Sequence, residues 1–317
     1  MTSLIDRSLL FVTGKGGVGK TTVAASMGVL AAGVGKRTLL VEADAKGDIA
    51  TALSTGRTVF EPREVQPNLH VMSMNTEDSM REYLKQNLKV PIVGRLGPVA
   101  RSFDFLATAA PGVREIMTIG KLASEVRDAN WDLVVVDAVA SGHIIGQLAS
   151  PQALANLVGS GLISDQTKWM LDILSDPAQT GAVLVALAEE MPVVETIELA
   201  GRVRDEANID VAAVVVNRVL PELFSTREEE AFVRISSPAT LDTIAERTGH
   251  QLAPMVEAAA LAVRLRRTRA GHIANLREGL PDGIDQLYLP EVFTQEFGEA
   301  AIHSIADALG AELGFDL

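Results

Sequence analysis

The stretch FVTGKGGVGKTT (residues 11–22) places Gly14, Gly19, Lys20 and Thr21 at the spacing of a phosphate-binding loop. The apolar run before it, SLLFVT (8–13), reads as a short buried strand. Residues 21–32 read as a helix that stops near Gly33 and Gly35. A glycine turn between strand and helix aims backbone N–H groups at one point, and the helix dipole adds positive potential there. Gly14, Gly16, Gly17, Val18 and Gly19 form the expected cradle, which Thr22 continues. The Lys20 ammonium suits the β- and γ-phosphates of a nucleotide, and the Thr21 hydroxyl suits Mg2+. Lys15 adds a second lysine directly after the first glycine, where one lysine is enough to hold a phosphate. It is either a solvated loop charge or a cation with a different task.

Outward from the loop, apolar runs alternate with helical patterns. RTLLVEAD (37–44), LHVMSM (69–74), WDLVVVDA (131–138), GAVLVAL (181–187), VAAVVVNR (211–218) and QLYLP (286–290) read as strands. Runs that are apolar throughout, with helices between them, predict a parallel sheet covered on both faces. The fold class is α/β, a doubly wound, mostly parallel sheet of the phosphate-loop nucleoside-triphosphatase kind with helical insertions. Residues 75–126 and 222–283 interrupt the alternation and read as helical embellishments. Nothing resembles a linker, so residues 1–317 are expected to form one domain. Within 259–280 the pattern predicts a helix with an arginine-rich face.

Composition narrows the function. A net charge of −13 disfavours broad binding to nucleic acid backbone. The chain has no cysteine, which excludes disulfides and thiolate metal sites. The N-terminus lacks a charged lead followed by an apolar core, and residues 23–34 are too short and too small to span a membrane. The expectation is a soluble cytoplasmic protein. In WDLVVVDA, four apolar residues run into Asp137, the Walker-B pattern of a carboxylate that supports Mg2+ through water.

With both lysines, GKGGVGKTT resembles the deviant phosphate loop shared by partition and Min-system ATPases, nitrogenase iron protein, and arsenite-pump and guided-entry ATPases. The resemblance implies ATP and Mg2+ as cofactors. It also implies a dimer in which Lys15 reaches the partner's nucleotide and offsets charge during phosphoryl transfer. DAKGD (44–48) occupies the place of that family's first switch. The match gives Asp44 the attacking water, with a helix cap as the competing reading, and leaves Asp48 open. DAVASGH (137–143) resembles the second switch of the arsenite-pump and guided-entry branch. There Gly142 approaches the γ-phosphate and His143 matches a branch histidine of open role.

Four further stretches point to the same anion-transporting branch, in its short bacterial form. APGVREIMTIGKL (110–122) resembles the segment ahead of the second switch in arsenite-pump-type ATPases. The segment 174–205, whose matching block ends with Glu195 and Thr196, resembles a later region of theirs. VVVNRVLPE (214–222) resembles the element whose asparagine reads adenine. An amide matches both the adenine amino group and a ring acceptor, so Asn217 is suited to it; a turn residue is the competing reading. YLPEVF (288–293), with Pro290, resembles the loop that closes over the base.

Departures matter as much. No cysteine pair follows VNRVLPE, so no zinc clasp is expected, and arsenite activation through thiolates is excluded. Residues 150–176 are short for the methionine-rich lid of guided-entry proteins. The expected protein is a dimeric ATPase switch, homodimeric or paired with a paralogous ATPase, acting on a protein or membrane client. One alternative is a partition or positioning ATPase that uses the arginine-rich helix; another is a non-catalytic regulatory subunit. The C-terminal stretch 300–317 is amphipathic without basic residues, which argues against an anionic membrane surface.

Overall fold

The computed structural model describes residues 4–44, 46–74, 78, 112–157, 162–249, 252–294 and 296–315. The strands are β1 (Leu9–Gly14), β2 (Thr38–Glu42), β3 (Arg63–Gln66), β4 (Leu69–Ser73), β5 (Leu133–Asp137), β6 (Thr180–Leu187), β7 (Val211–Val219) and β8 (Asp285–Pro290). The helices are α1 (Lys20–Gly33), α2 (Asp48–Ala52), α3 (Val113–Arg127), α4 (Ser141–Leu157), α5 (Leu162–Ser175), α6 (Glu190–Ala207), α7 (Thr226–Ile235), α8 (Pro238–Thr248), α9 (Ala253–Gly279) and α10 (Glu299–Leu313). Most of the helical insertion expected over 75–126 lies outside the described residues; its last part is α3.

The strands form an eight-stranded sheet in the order β3-β4-β2-β5-β1-β6-β7-β8. Its pairings are parallel except for β3, which runs antiparallel to β4. The fold is therefore the doubly wound α/β class. Every apolar run read as a strand is one. β3 is an addition: REVQ is half polar and sits on the sheet edge, where an apolar run is not required.

Side-chain alternation explains why the central strands are apolar throughout. Leu10, Val12, Leu40, Val135, Val183 and Val185 share one core with Val23, Met27 and Leu30 of α1 and Ile302, Ile305 and Leu309 of α10. Their neighbours Leu9, Phe11, Val41, Val134, Leu184 and Val214 face the other way. They pack with Ile119 and Leu122 of α3, Ile144 and Leu148 of α4, and Val193, Leu199 and Val203 of α6. Helix α1 is buried from Val23 to Ala32, so its alanines and glycines allow it to lie between the sheet and α10. The Ser26 hydroxyl donates to the Ile302 carbonyl across that contact at 3.1 Å. Thus the amphipathic C-terminal pattern is a core helix, with Ala301, Ile302, Ile305, Ala306 and Leu309 turned inward.

The topology positions the site. The chain leaves β1 toward β2 on one side, while the connection from β5 to β6 passes to the other side of β1. At such a switch point the loops after neighbouring strands separate and open a crevice at the strand carboxyl ends.

Candidate nucleotide site

The glycine loop leaves β1 at that crevice, and backbone packing fixes its shape. Gly14 has φ 150°, and a Cβ there would lie 2.3 Å from the Val185 carbonyl oxygen of β6. Gly19 has φ 94° just before α1, and a Cβ there would lie 2.4 Å from Asn217 Nδ2. Neither position admits a side chain, so two of the pattern's glycines are demanded by the fold itself. A cleft of about 390 Å3 opens beside the loop. It is lined by Gly16, Gly17, Gly19, Lys20 and Thr21 of the loop, by Asp44, Lys46 and Asp48, and by residues 137–140.

Thr21 Oγ1 donates to Asp137 Oδ2 at 2.6 Å. Parallel pairing of β1 with β5 sets Val12 against Asp137, which carries the carboxylate to the start of α1. Burial pushes the Asp137 carboxyl up to about 6; the Thr21 hydroxyl and the Lys20 ammonium only partly oppose it, and Glu42 and Asp48 add to it. Lys20 Nζ donates to the Lys15 carbonyl at 3.2 Å. Its pKa is lowered, first by burial and then by the nearby Lys46 charge, while Asp137 and Asp48 act the other way.

This donor set fits a hard cation: a hydroxyl oxygen and a carboxylate oxygen side by side, the carboxylate short of positive charge. No cluster of three or more acidic or histidine side chains suited to a metal occurs among the described residues. A magnesium ion held by Thr21 and Asp137 would complete its shell with phosphate and water oxygens, as this ion commonly does.

The two lysines of the loop point in different directions. Lys20 folds back over the loop, whereas Lys15 Nζ forms an ion pair with Glu195 Oε1 of α6 at 2.5 Å. Asn217 is buried behind the loop. Its Nδ2 donates to the Val18 carbonyl at 2.9 Å, and its Oδ1 accepts from the Arg218 N–H at 2.9 Å. Its amide therefore braces the phosphate loop in this structure. Gly142 and His143 lie exposed in the first turn of α4, just after the cleft residues 137–140. Pro290 ends β8, exposed and paired with Val219, away from the cleft lining. The glycine loop, Asp44, Asp48 and Asp137 are thus brought together; Lys15, Gly142, Asn217 and Pro290 surround them without lining the cleft.

Glu42 and Lys46 carry no assignment from the sequence, and Glu195 stands there only within a resembling block, without a role. Glu42, buried at the end of β2, accepts from the Asp48 N–H at 2.6 Å and from the Thr58 and Ser73 hydroxyls at 3.2 Å. It anchors the start of α2, and so the end of the first switch. Its signal was a carboxylate inside an otherwise apolar strand. Glu195, on α6, is 180 residues from the lysine it holds, beyond the reach of any local pattern. Lys46 stands inside the first switch, where the acidic residues drew the reading.

Comparison with known proteins agrees with this geometry. The profile of the anion-transporting ATPase family matches residues 7–162 and 162–236. ATPase BagA of Mycobacterium tuberculosis is 30% identical over 67% of this chain and 65% of its own length. The ATPase ASNA1 homolog of Entamoeba dispar is 26% identical over 67% of this chain and 76% of its own. The arsenical pump-driving ATPase of Escherichia coli is 28% identical over 68% of this chain and 40% of its own. The chain thus spans just under two thirds of the first of these relatives and less than half of the last.

Proposed function

The chain belongs to the anion-transporting ATPase family, and from that premise we propose that it binds ATP with magnesium, hydrolyses it, and works as a two-subunit switch. The observation that carries this reading is the Thr21–Asp137 contact at the mouth of a glycine loop whose shape tolerates no side chain at Gly14 or Gly19. Lys20 holds the β- and γ-phosphates, and Thr21 and Asp137 hold the magnesium ion, which neutralises phosphate charge. Asp44 orients the attacking water. Gly142 senses the γ-phosphate, and Asn217 and Pro290 border the base. Lys15 leaves Glu195 to enter the partner subunit's site, the partner being a second copy or a paralogue. Residues 1–317 act as one domain, in the cytoplasm, on a protein or membrane client.

The test is phosphate release by the purified chain, alone and mixed with a paralogue. The expected result is magnesium-dependent release that Lys20→Ala abolishes. Absence of both ATP binding and phosphate release under all these conditions overturns the reading.

One observation weakens the partition alternative. Four of the five arginines of α9 are engaged within the chain: Arg266 with Glu222 at 3.5 Å, Arg267 with Glu229, Arg269 with Glu189 at 3.8 Å, and Arg277 with the Tyr288 hydroxyl at 2.9 Å. A helix face on which three of the cations already have carboxylate partners is a poorer site for a phosphate backbone. No helix among the described residues is long and apolar enough to cross a membrane.

A further inference from the structure

The cleft holds a second lysine that the ATP reading leaves without a role. Lys46 lines it together with Lys20 and Thr21. Its ammonium pairs with Asp44 Oδ2 at 2.6 Å, with the two side chains 66% and 48% exposed. Its backbone N–H donates to the Asp44 carbonyl at 2.6 Å, so the lysine and the aspartate share one tight turn.

We propose that Lys46 is a phosphate-binding residue in its own subunit: when ATP enters, its ammonium leaves Asp44 for the terminal phosphate and frees the Asp44 carboxylate. The proposal rests on the ATP reading and adds to it a residue selective for the γ-phosphate.

Charge supports the exchange. The cleft is lined by two ammonium groups, Lys20 and Lys46, and three carboxylates, Asp44, Asp48 and Asp137. A triphosphate entering that surface needs more cation than Lys20 alone supplies. Lys15 is already held by Glu195. Lys46 is the cleft cation with freedom to move: it stands in solvent, and an exposed pair of this kind holds its partners only weakly. A multiply charged phosphate competes easily with one exposed carboxylate. The field of Lys46 already reaches Lys20, whose proton affinity it lowers. The two ammonium groups therefore face one volume, and an anion between them relieves their repulsion.

The anchor of the switch allows the motion. Glu42 fixes the Asp48 N–H from below, so the end of the switch stays in place while the Lys46 side chain swings. No bond is made or broken in the step; one ion pair replaces another.

The test compares AMPPNP with ADP, each with magnesium, by calorimetry on wild type, Lys46→Met and Lys46→Arg. Lys46→Met is expected to weaken AMPPNP binding about tenfold and ADP binding less than twofold, and Lys46→Arg to stay within about threefold of wild type for both. Equal loss for the two nucleotides, or no loss for either, overturns the proposal. Faster ATP turnover in Lys46→Met with unchanged AMPPNP affinity also overturns it, since Lys46 then only restrains Asp44. Wild type that binds neither nucleotide sinks the ATP reading itself, which the variant comparison leaves untouched.

Discussion

The glycine loop and the acidic segment that carries Asp44, Lys46 and Asp48 line one cleft and are held in opposite ways. Backbone packing fixes the phosphate loop: the Val185 carbonyl sits where a Gly14 side chain would go, and Asn217 fills the space beside Gly19. The first switch is tied at its end by Glu42 and between its ends by one exposed ion pair. A site that grips a phosphate and then reports its loss needs both. The grip must be built before the ligand arrives, and the reporter must have little free energy holding it in place. Glycine substitutions expose the contrast most strongly. Gly14→Ala is expected to cost more than about 4 kcal/mol or to abolish folding, because its Cβ meets rigid backbone. Gly47→Ala, with φ 81° but no atom within 4 Å of the added Cβ, is expected to cost about 1–2 kcal/mol. Urea unfolding of both variants checks this; similar losses would mean the switch is as rigidly built as the loop.

The second test separates gripping from triggering chemically. Asp44→Asn is expected to leave ATP binding within about threefold and to slow phosphate release about 100-fold, a typical effect of losing a residue that positions water. Single-turnover release and equilibrium binding, measured together, decide it. Loss of binding with unchanged turnover of bound ATP would move Asp44 from trigger to grip.

The same contrast explains how much was legible in the sequence. The sheet could be read because parallel strands buried on both faces must be apolar at every position, as LLFVTG and TGAVLVAL are. The loop could be read because its glycines answer to local backbone geometry. Asp137 could be read because a charge at the end of such a strand has few reasons to be there. The antiparallel edge strand β3 carries no such constraint, and its REVQ looks like loop. Glu42, Glu195 and Lys46 draw their meaning from partners that the chain brings together only on folding. The arginine-rich face of α9 is the clearest case: its sequence suits an anion, and folding sets Glu222, Glu229 and Glu189 beside it.

Asp137 gives the comparison a pH axis. Its carboxyl titrates near 6 in the folded, ligand-free protein, against an ordinary value of 3.8, with burial as the main cause. The folded state therefore holds the proton more tightly than the unfolded chain. The resulting stability is present below about pH 3.8 and is lost as pH rises through about 6. Between pH 4.5 and 7.5, wild type should lose on the order of 2 kcal/mol relative to Asp137→Asn, with nucleotide and metal absent. Urea unfolding of the two proteins at both pH values measures the difference. Parallel pH dependence in the two would show that the burial of this carboxylate carries no such penalty.

The smallest expected effect on stability belongs to the Lys15–Glu195 pair, which the proposed two-subunit switch must open. Both side chains are about one third exposed, so the pair should contribute no more than about 1 kcal/mol, and Glu195→Gln should unfold almost as wild type does. Its effect belongs to association instead. With Glu195 neutralised, Lys15 has no cation-binding partner to leave before it reaches a second nucleotide. ATP-dependent dimer formation should then tighten by a few fold, while ATP binding to the isolated chain stays unchanged. Sedimentation of Glu195→Gln with AMPPNP reads the first quantity, and calorimetry on dilute protein reads the second. A variant that loses more than about 2 kcal/mol of stability, or dimerises less well, would make the ion pair a structural brace and place Lys15 with the rigid loop rather than with the parts that move.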